Sequence, residues 1–111
     1  METYFISERT GEKIYAKLND SLRWGTTRNE DLIPTFFEAL RDTAFYAQTI
    51  VDHVIPTYAL DENKADWWES ENATNFLDEL FDELNSHAPE GYYFGANDGD
   101  GADFGFWKTE D

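Results

Sequence analysis

Phe76-Leu77-Asp78-Glu79-Leu80-Phe81-Asp82-Glu83-Leu84 is the stretch from which the fold is read. Two apolar residues alternate with two acids, which is a helical period. At about 100° per residue, Phe76, Leu77, Leu80, Phe81 and Leu84 make one stripe of about 140°. Asp78, Glu79, Asp82 and Glu83 fill an opposite sector of similar width. Ser70 or Asn72 is placed to cap this helix, which runs to Ser86 before Pro89-Glu90-Gly91 stops it. Residues four apart on a helix stand about 6 Å apart. A row of carboxylates at that spacing presents charge much as the phosphates of one DNA strand do. No lysine within the stretch relieves the repulsion between like charges. An acidic solvated face is the plainer reading of this helix alone; the charge of the whole chain weighs toward a functional one.

That charge is large. The chain has 111 residues with 24 acids and 8 bases, a formal net of −16. From Met1 to Ile55 there are nine acids and six bases, net −3; from Pro56 to Asp111 there are fifteen acids and two bases, net −13. Solubility needs far less. A field of this sign repels nucleic acid and membrane surfaces and attracts a basic protein surface. Direct nucleic-acid binding requires a basic patch. Arg9, Lys13, Lys17, Arg23, Arg28 and Arg41 are interspersed with acids and offer at most a small positive patch on the N-terminal hairpin.

The same length predicts one domain, residues 1–111. Nine Phe, six Tyr and four Trp supply the dense core that a small domain needs, and argue against an acidic disordered chain. Cysteine is absent, which excludes disulfides, thiolate metal sites and a Cys nucleophile. With no signal-peptide pattern and no apolar run long enough to span a bilayer, the expectation is a cytoplasmic protein without a membrane partner.

Working outward from the acidic helix, Thr3–Ile6 and Lys13–Leu18 read as an N-terminal β-hairpin, and Leu22-Arg23-Trp24 as a short extra strand broken by Gly25. Asn29 is expected to cap a helix ending near Arg41, with Pro34 at or close to its start. A second helix is expected from Thr43 to Val54. Leu60–Ala65 reads as a polar loop. Tyr92–Gly95 and Phe104–Trp107 form a second hairpin around Asn97-Asp98-Gly99-Asp100-Gly101. The expected architecture is α+β: two terminal hairpins, two to three helices between them, and one antiparallel sheet covered by helices on one face.

Trp67-Trp68 sits among Asp66, Glu69 and Glu71. Adjacent tryptophans cannot both face inward in a regular element, so one of the pair is a candidate exposed anchor. The plainer alternative is a small cluster covering one end of the helices. Asn97, Asp98, Asp100 and Asp103 crowd the last loop, but Ala102 and Thr109 stand where a calcium-binding EF-hand loop needs acids, so no metal is expected. His53 and His87 lack zinc-ligand spacing and are expected near helix ends. No nucleophile elbow, P-loop or dinucleotide fingerprint occurs. With 24 acids, a glycosidase-like carboxylate pair is uninformative.

Gly91-Tyr92-Tyr93-Phe94-Gly95, followed by Asp98-Gly99-Asp100-Gly101-Ala102-Asp103-Phe104-Gly105-Phe106-Trp107, resembles the ends of short uncharacterised proteins of phages and conjugative elements. That resemblance implies no activity and carries over no functional residue. In size and acidity the chain is similar to DNA-mimic anti-restriction and anti-defence proteins, which display carboxylates where DNA displays phosphates. The expectation is a binding protein without cofactor, not an enzyme: a DNA-mimic inhibitor of a DNA-binding host or defence protein. An immunity protein or antitoxin against a basic toxin, or an accessory protein of a mobile element, is the alternative, and self-association stays open. The expected partner-binding residues are Asp78, Glu79, Asp82, Glu83, Trp67, Trp68, Glu69, Glu71, Asp98, Asp100 and Asp103.

Overall fold

The computed structural model describes residues 3–52, 54–55, 66–97 and 99–109. In chain order it contains β1 (Phe5–Ile6), β2 (Lys13–Ile14), β3 (Asp20–Trp24), α1 (Asn29–Ala39), α2 (Ala44–Val51), a 3-10 turn (Asp66–Glu69), α3 (Glu71–Ser86), β4 (Tyr92–Asn97) and β5 (Asp100–Lys108). The class is α+β, as the sequence predicts.

The acidic helix is α3. The Ser70 hydroxyl accepts from the Ala73 N–H at 3.2 Å, closing its N-terminus. Ala73, Phe76, Leu77, Leu80 and Leu84 are buried. In α1 the helix begins five residues before Pro34 rather than at it. Pro34 removes only the bond to the Glu30 carbonyl, and the first turn is anchored by the Arg28 carbonyl, which accepts from Asp31 and Leu32. Asn29 is not the cap. Its side-chain amide instead donates to the Trp68 carbonyl at 2.9 Å, tying α1 to the 3-10 turn. Thr43 caps α2, which stops at Val51, short of the expected Val54; Ile50 and Val51 project into solvent.

Two sheets form where one was expected: β1 pairs only with β2, while β3, β5 and β4 make an antiparallel sheet with β5 in the centre. The cause lies just after Ile14. There the Tyr15 N–H donates to the Ala39 carbonyl at the end of α1, at 2.9 Å, and the chain leaves the first sheet. Ile14, paired with Phe5, and Ala16, beyond the pairing, keep the alternating burial. Asn19, at φ 59°, then redirects the chain antiparallel to β5. The short extra strand thus joins the C-terminal hairpin, and Gly25, at φ 80°, ends it.

Helices α1 and α3 cover one face of the three-stranded sheet. The Phe36 ring sits edge-on to Phe81, Phe94 and Phe104, with centroids 5.3, 5.1 and 5.8 Å away. Phe5 meets Phe106 at 4.9 Å and fastens the small sheet to the same core. No described helix is long and apolar enough to cross a membrane.

On the opposite face, Gly105 of β5 stands between Ser21 of β3 and Gly95 of β4. A Cβ at Gly105 would overlap the Asp20 carbonyl oxygen, a backbone atom that cannot swing away. A Cβ at Gly95 would meet only the Tyr93 ring, at 3.7 Å, an ordinary contact. Gly105→Ala is therefore expected to cost about 2–3 kcal/mol by forced strand separation. Gly95→Ala should cost under about 1 kcal/mol by the same reasoning. Urea denaturation of the two variants checks this; equal midpoints would mean that β3 does not approach β5 so closely.

Candidate functional site

The acidic face is built on α3 and the turn before it. On the helix, Glu71, Asp78 and Asp82 fall within about 40° of one another, and Glu79 about 60° to one side. All four are exposed. Glu71 and Asp82 lie about 16 Å apart along the axis at 1.5 Å per residue. Asp66 and Glu69 extend the exposed charge beyond the N-terminal end of α3, and Glu90 beyond its C-terminal end. From Asp66 to Glu90 there are eight acids (Asp66, Glu69, Glu71, Asp78, Glu79, Asp82, Glu83, Glu90) and no lysine or arginine.

Four of the six basic residues of the N-terminal half have partners in their own part of the chain. Arg28 pairs with Glu30 and Asp31, Arg41 with Glu38, and Lys17 with Asp20. Lys13 lies over the Tyr4 ring, 4.8 Å from its centroid. These bases are matched by acids or rings in their own part of the chain, and the acids of α3 receive almost nothing from them. Comparison with protein-family models, curated proteins and solved structures returns no match.

Glu83 departs from its expected role. It is about 100° round the helix from Asp82, on the flank beside the core. Its carboxylate accepts from His87 Nε2 at 2.7 Å and from Arg9 at 3.3 Å. His87, the residue after α3, is fully buried, and its Nδ1 lies 2.7 Å from the Ser7 hydroxyl. The Glu83 carboxylate can only accept, so Nε2 donates to it; Nδ1 and the Ser7 hydroxyl, which also accepts from the Thr10 N–H, share the other bond. This serine–histidine–glutamate chain has the hydrogen-bond order of a hydrolytic triad. Ser7, however, is only 2% exposed, so the arrangement holds the N-terminal hairpin to α3 and offers no nucleophile to a substrate. Ser7 and His87 are eighty positions apart, and no local pattern in the sequence signals their meeting.

Trp67 and Trp68 correct a second expectation. Both are buried, 7% and 5% exposed, with rings edge-on at 5.1 Å. In a 3-10 turn successive side chains diverge by about 120°, and this turn packs against both α1 and the start of α3, which covers both directions. They form the cluster at one end of the helices, and neither is an anchor. The exposed tryptophan is Trp24, at 71%. The sequence places Trp24 in a strand; its exposure follows from its place at the end of an edge strand.

Of the loop acids, Asp98 lies outside the described residues, as do His53 and the stretch Leu60–Ala65. Asp100 begins β5 directly opposite Asn97, so the connection is shorter than the expected loop. Asp103 is a strand residue whose carboxylate accepts from the Ser21 hydroxyl. Among the described residues, no group of three or more His, Asp or Glu side chains is arranged to hold a metal.

Proposed function

We propose that this protein is an inhibitor that binds a basic, DNA-handling protein, its acidic helix lying where DNA phosphates would otherwise lie. The observation that carries the reading is the row Glu71, Asp78 and Asp82, flanked by Glu79 and unrelieved by any base from residue 66 to 90. A helix holds such a row rigidly: Asp78 and Asp82 stand about 6 Å apart, close to the spacing of backbone phosphates, and Glu71 lies about 10 Å further along the axis. Electrostatic complementarity of this kind steers encounter and selects partners. The role is one of binding without catalysis, beside a cytoplasmic target.

The test is capture of partners from host lysate, followed by competition with duplex DNA. DNA-binding enzymes should be retained and then displaced by DNA. A retained basic toxin indifferent to DNA would replace the mimic by an immunity protein. Retention of no basic protein at all would end the reading.

A further inference from the structure

The outer face of the three-stranded sheet, which the acidic-helix reading does not use, carries a second constellation. Ser21, Trp24, Asp103, Gly105 and Trp107 share that face by strand register, Trp24 standing directly across from Asp103. Trp107 does not stand upright. Its indole N–H donates to the Gly95 carbonyl at 3.0 Å, and its Cζ2 lies 3.2 Å from where a Gly105 Cβ would be. The ring therefore lies along the sheet, over the two glycines, leaning back toward Asp103. An aromatic laid across a sheet glycine presents one π face to the backbone and the other outward. Asp103 thus has one indole across the strand and another beside it along the strand. Its orientation is fixed by the Ser21 hydroxyl. The outer-facing positions in regular register, Tyr93 and Gly95 of β4 and Asp103, Gly105 and Trp107 of β5, include no lysine or arginine.

The geometry points to a guanidinium-binding site: Asp103, between Trp24 and Trp107, receives an arginine side chain of the basic partner. A planar guanidinium bonds to a carboxylate and stacks on an aromatic face at once, which the compact ammonium of lysine does less well. The negative face of an indole attracts a cation, and the net charge of −16 reinforces the attraction. The proposal takes only the sign of its occupant from the basic-partner reading; the surface is separate from α3.

The probe is a capped (Gly-Arg)4 peptide, with (Gly-citrulline)4 as its uncharged isostere and (Gly-Lys)4 as the ammonium control. Titration is followed by the indole N–H resonances and backbone amide shifts. The arginine peptide should shift the indole resonances of Trp24 and Trp107 and the amides around Asp103, and should bind more tightly than the lysine peptide. Asp103→Asn keeps an acceptor for Ser21 and should weaken binding about tenfold, as loss of a charge-assisted bond implies. Trp24→Ala, at an exposed position, should weaken it about threefold to tenfold. A protein carrying Asp78→Lys, Glu79→Lys and Asp82→Lys should still show these shifts, so failure of the acidic-helix reading leaves this one standing. Shifts confined to α3, equal binding of the citrulline peptide, or an Asp103→Asn variant that binds as tightly as the parent would each overturn the site.

Discussion

Changing Asp78, Glu79 and Asp82 together to Lys is expected to slow association with the basic partner by about one to two orders of magnitude. The fold should survive. All three side chains are exposed and no other side chain bonds to them among the described residues. Lysine is at least as good a helix former as either acid. The change takes the formal charge from −16 to −10, since each reversal adds two units. Chain-wide charge thus falls by less than half, while the local field over α3 changes sign. A rate that follows the local field will drop far more than one that follows net charge. Steered association weakens with salt because the Debye length shrinks to about 8 Å at physiological ionic strength. Stopped-flow kinetics at two salt concentrations separates the cases: the parent should lose rate as salt rises, and the variant should lose little. A parent rate indifferent to salt and to all three reversals would leave the acidity as a solubilising coat. Glu83 is kept out of this set because it is part of the His87 network.

The fold was legible wherever one local pattern decided burial. The stripe Phe76, Leu77, Leu80 and Leu84 could face only one way, and the alternation Ile14, Ala16, Leu18 survived even where strand pairing did not. What was not legible depended on contacts distant in sequence. Asn29 has the chemistry of a cap, yet a carbonyl thirty-nine positions away takes its amide. The Trp67-Trp68 pair misled because the argument against two inward tryptophans holds for a strand or an isolated helix face. It fails for a 3-10 turn wedged between two helices. Of the acidic face, the exposed part of the row was readable from the wheel. The loss of Glu83 from it was not, because helical angle alone puts Glu83 at the boundary, and His87 and Arg9 decide which side it joins. The shared face of Trp24 and Trp107 was not legible because a strand residue's facing depends on register, and the bulge between Ser21 and Arg23 resets that register.

Replacing His87 by Ala is expected to cost about 3–4 kcal/mol, a large share of the stability of a domain this size. Two losses combine. The imidazole is fully buried, so its removal leaves a cavity lined by groups that cannot collapse freely. The Ser7 hydroxyl, also buried, loses its ring-nitrogen partner, and Glu83 loses the shorter of its two bonds. Glu83 retains Arg9 at 3.3 Å and is partly exposed, so it rehydrates at modest cost. Ser7 cannot rehydrate without the hairpin lifting. The hairpin is also held by the Phe5 ring against Phe106 and by the Glu12 carboxylate at the start of α2, accepting from the Ala44 N–H at 2.7 Å. The damage should therefore appear first at the loop around Ser7 and not in the three-stranded sheet. Hydrogen exchange should show lost protection at the Gly11 N–H, which donates to the Ser7 carbonyl, before any at β5. Glu83→Gln, which keeps an oxygen for Nε2–H, should cost only about 1 kcal/mol. Chemical denaturation of His87→Ala and Glu83→Gln side by side, with exchange read residue by residue, decides the matter. If the two variants lose equal stability, the charge of Glu83 rather than the buried ring holds the hairpin, and the packing account of His87 is wrong.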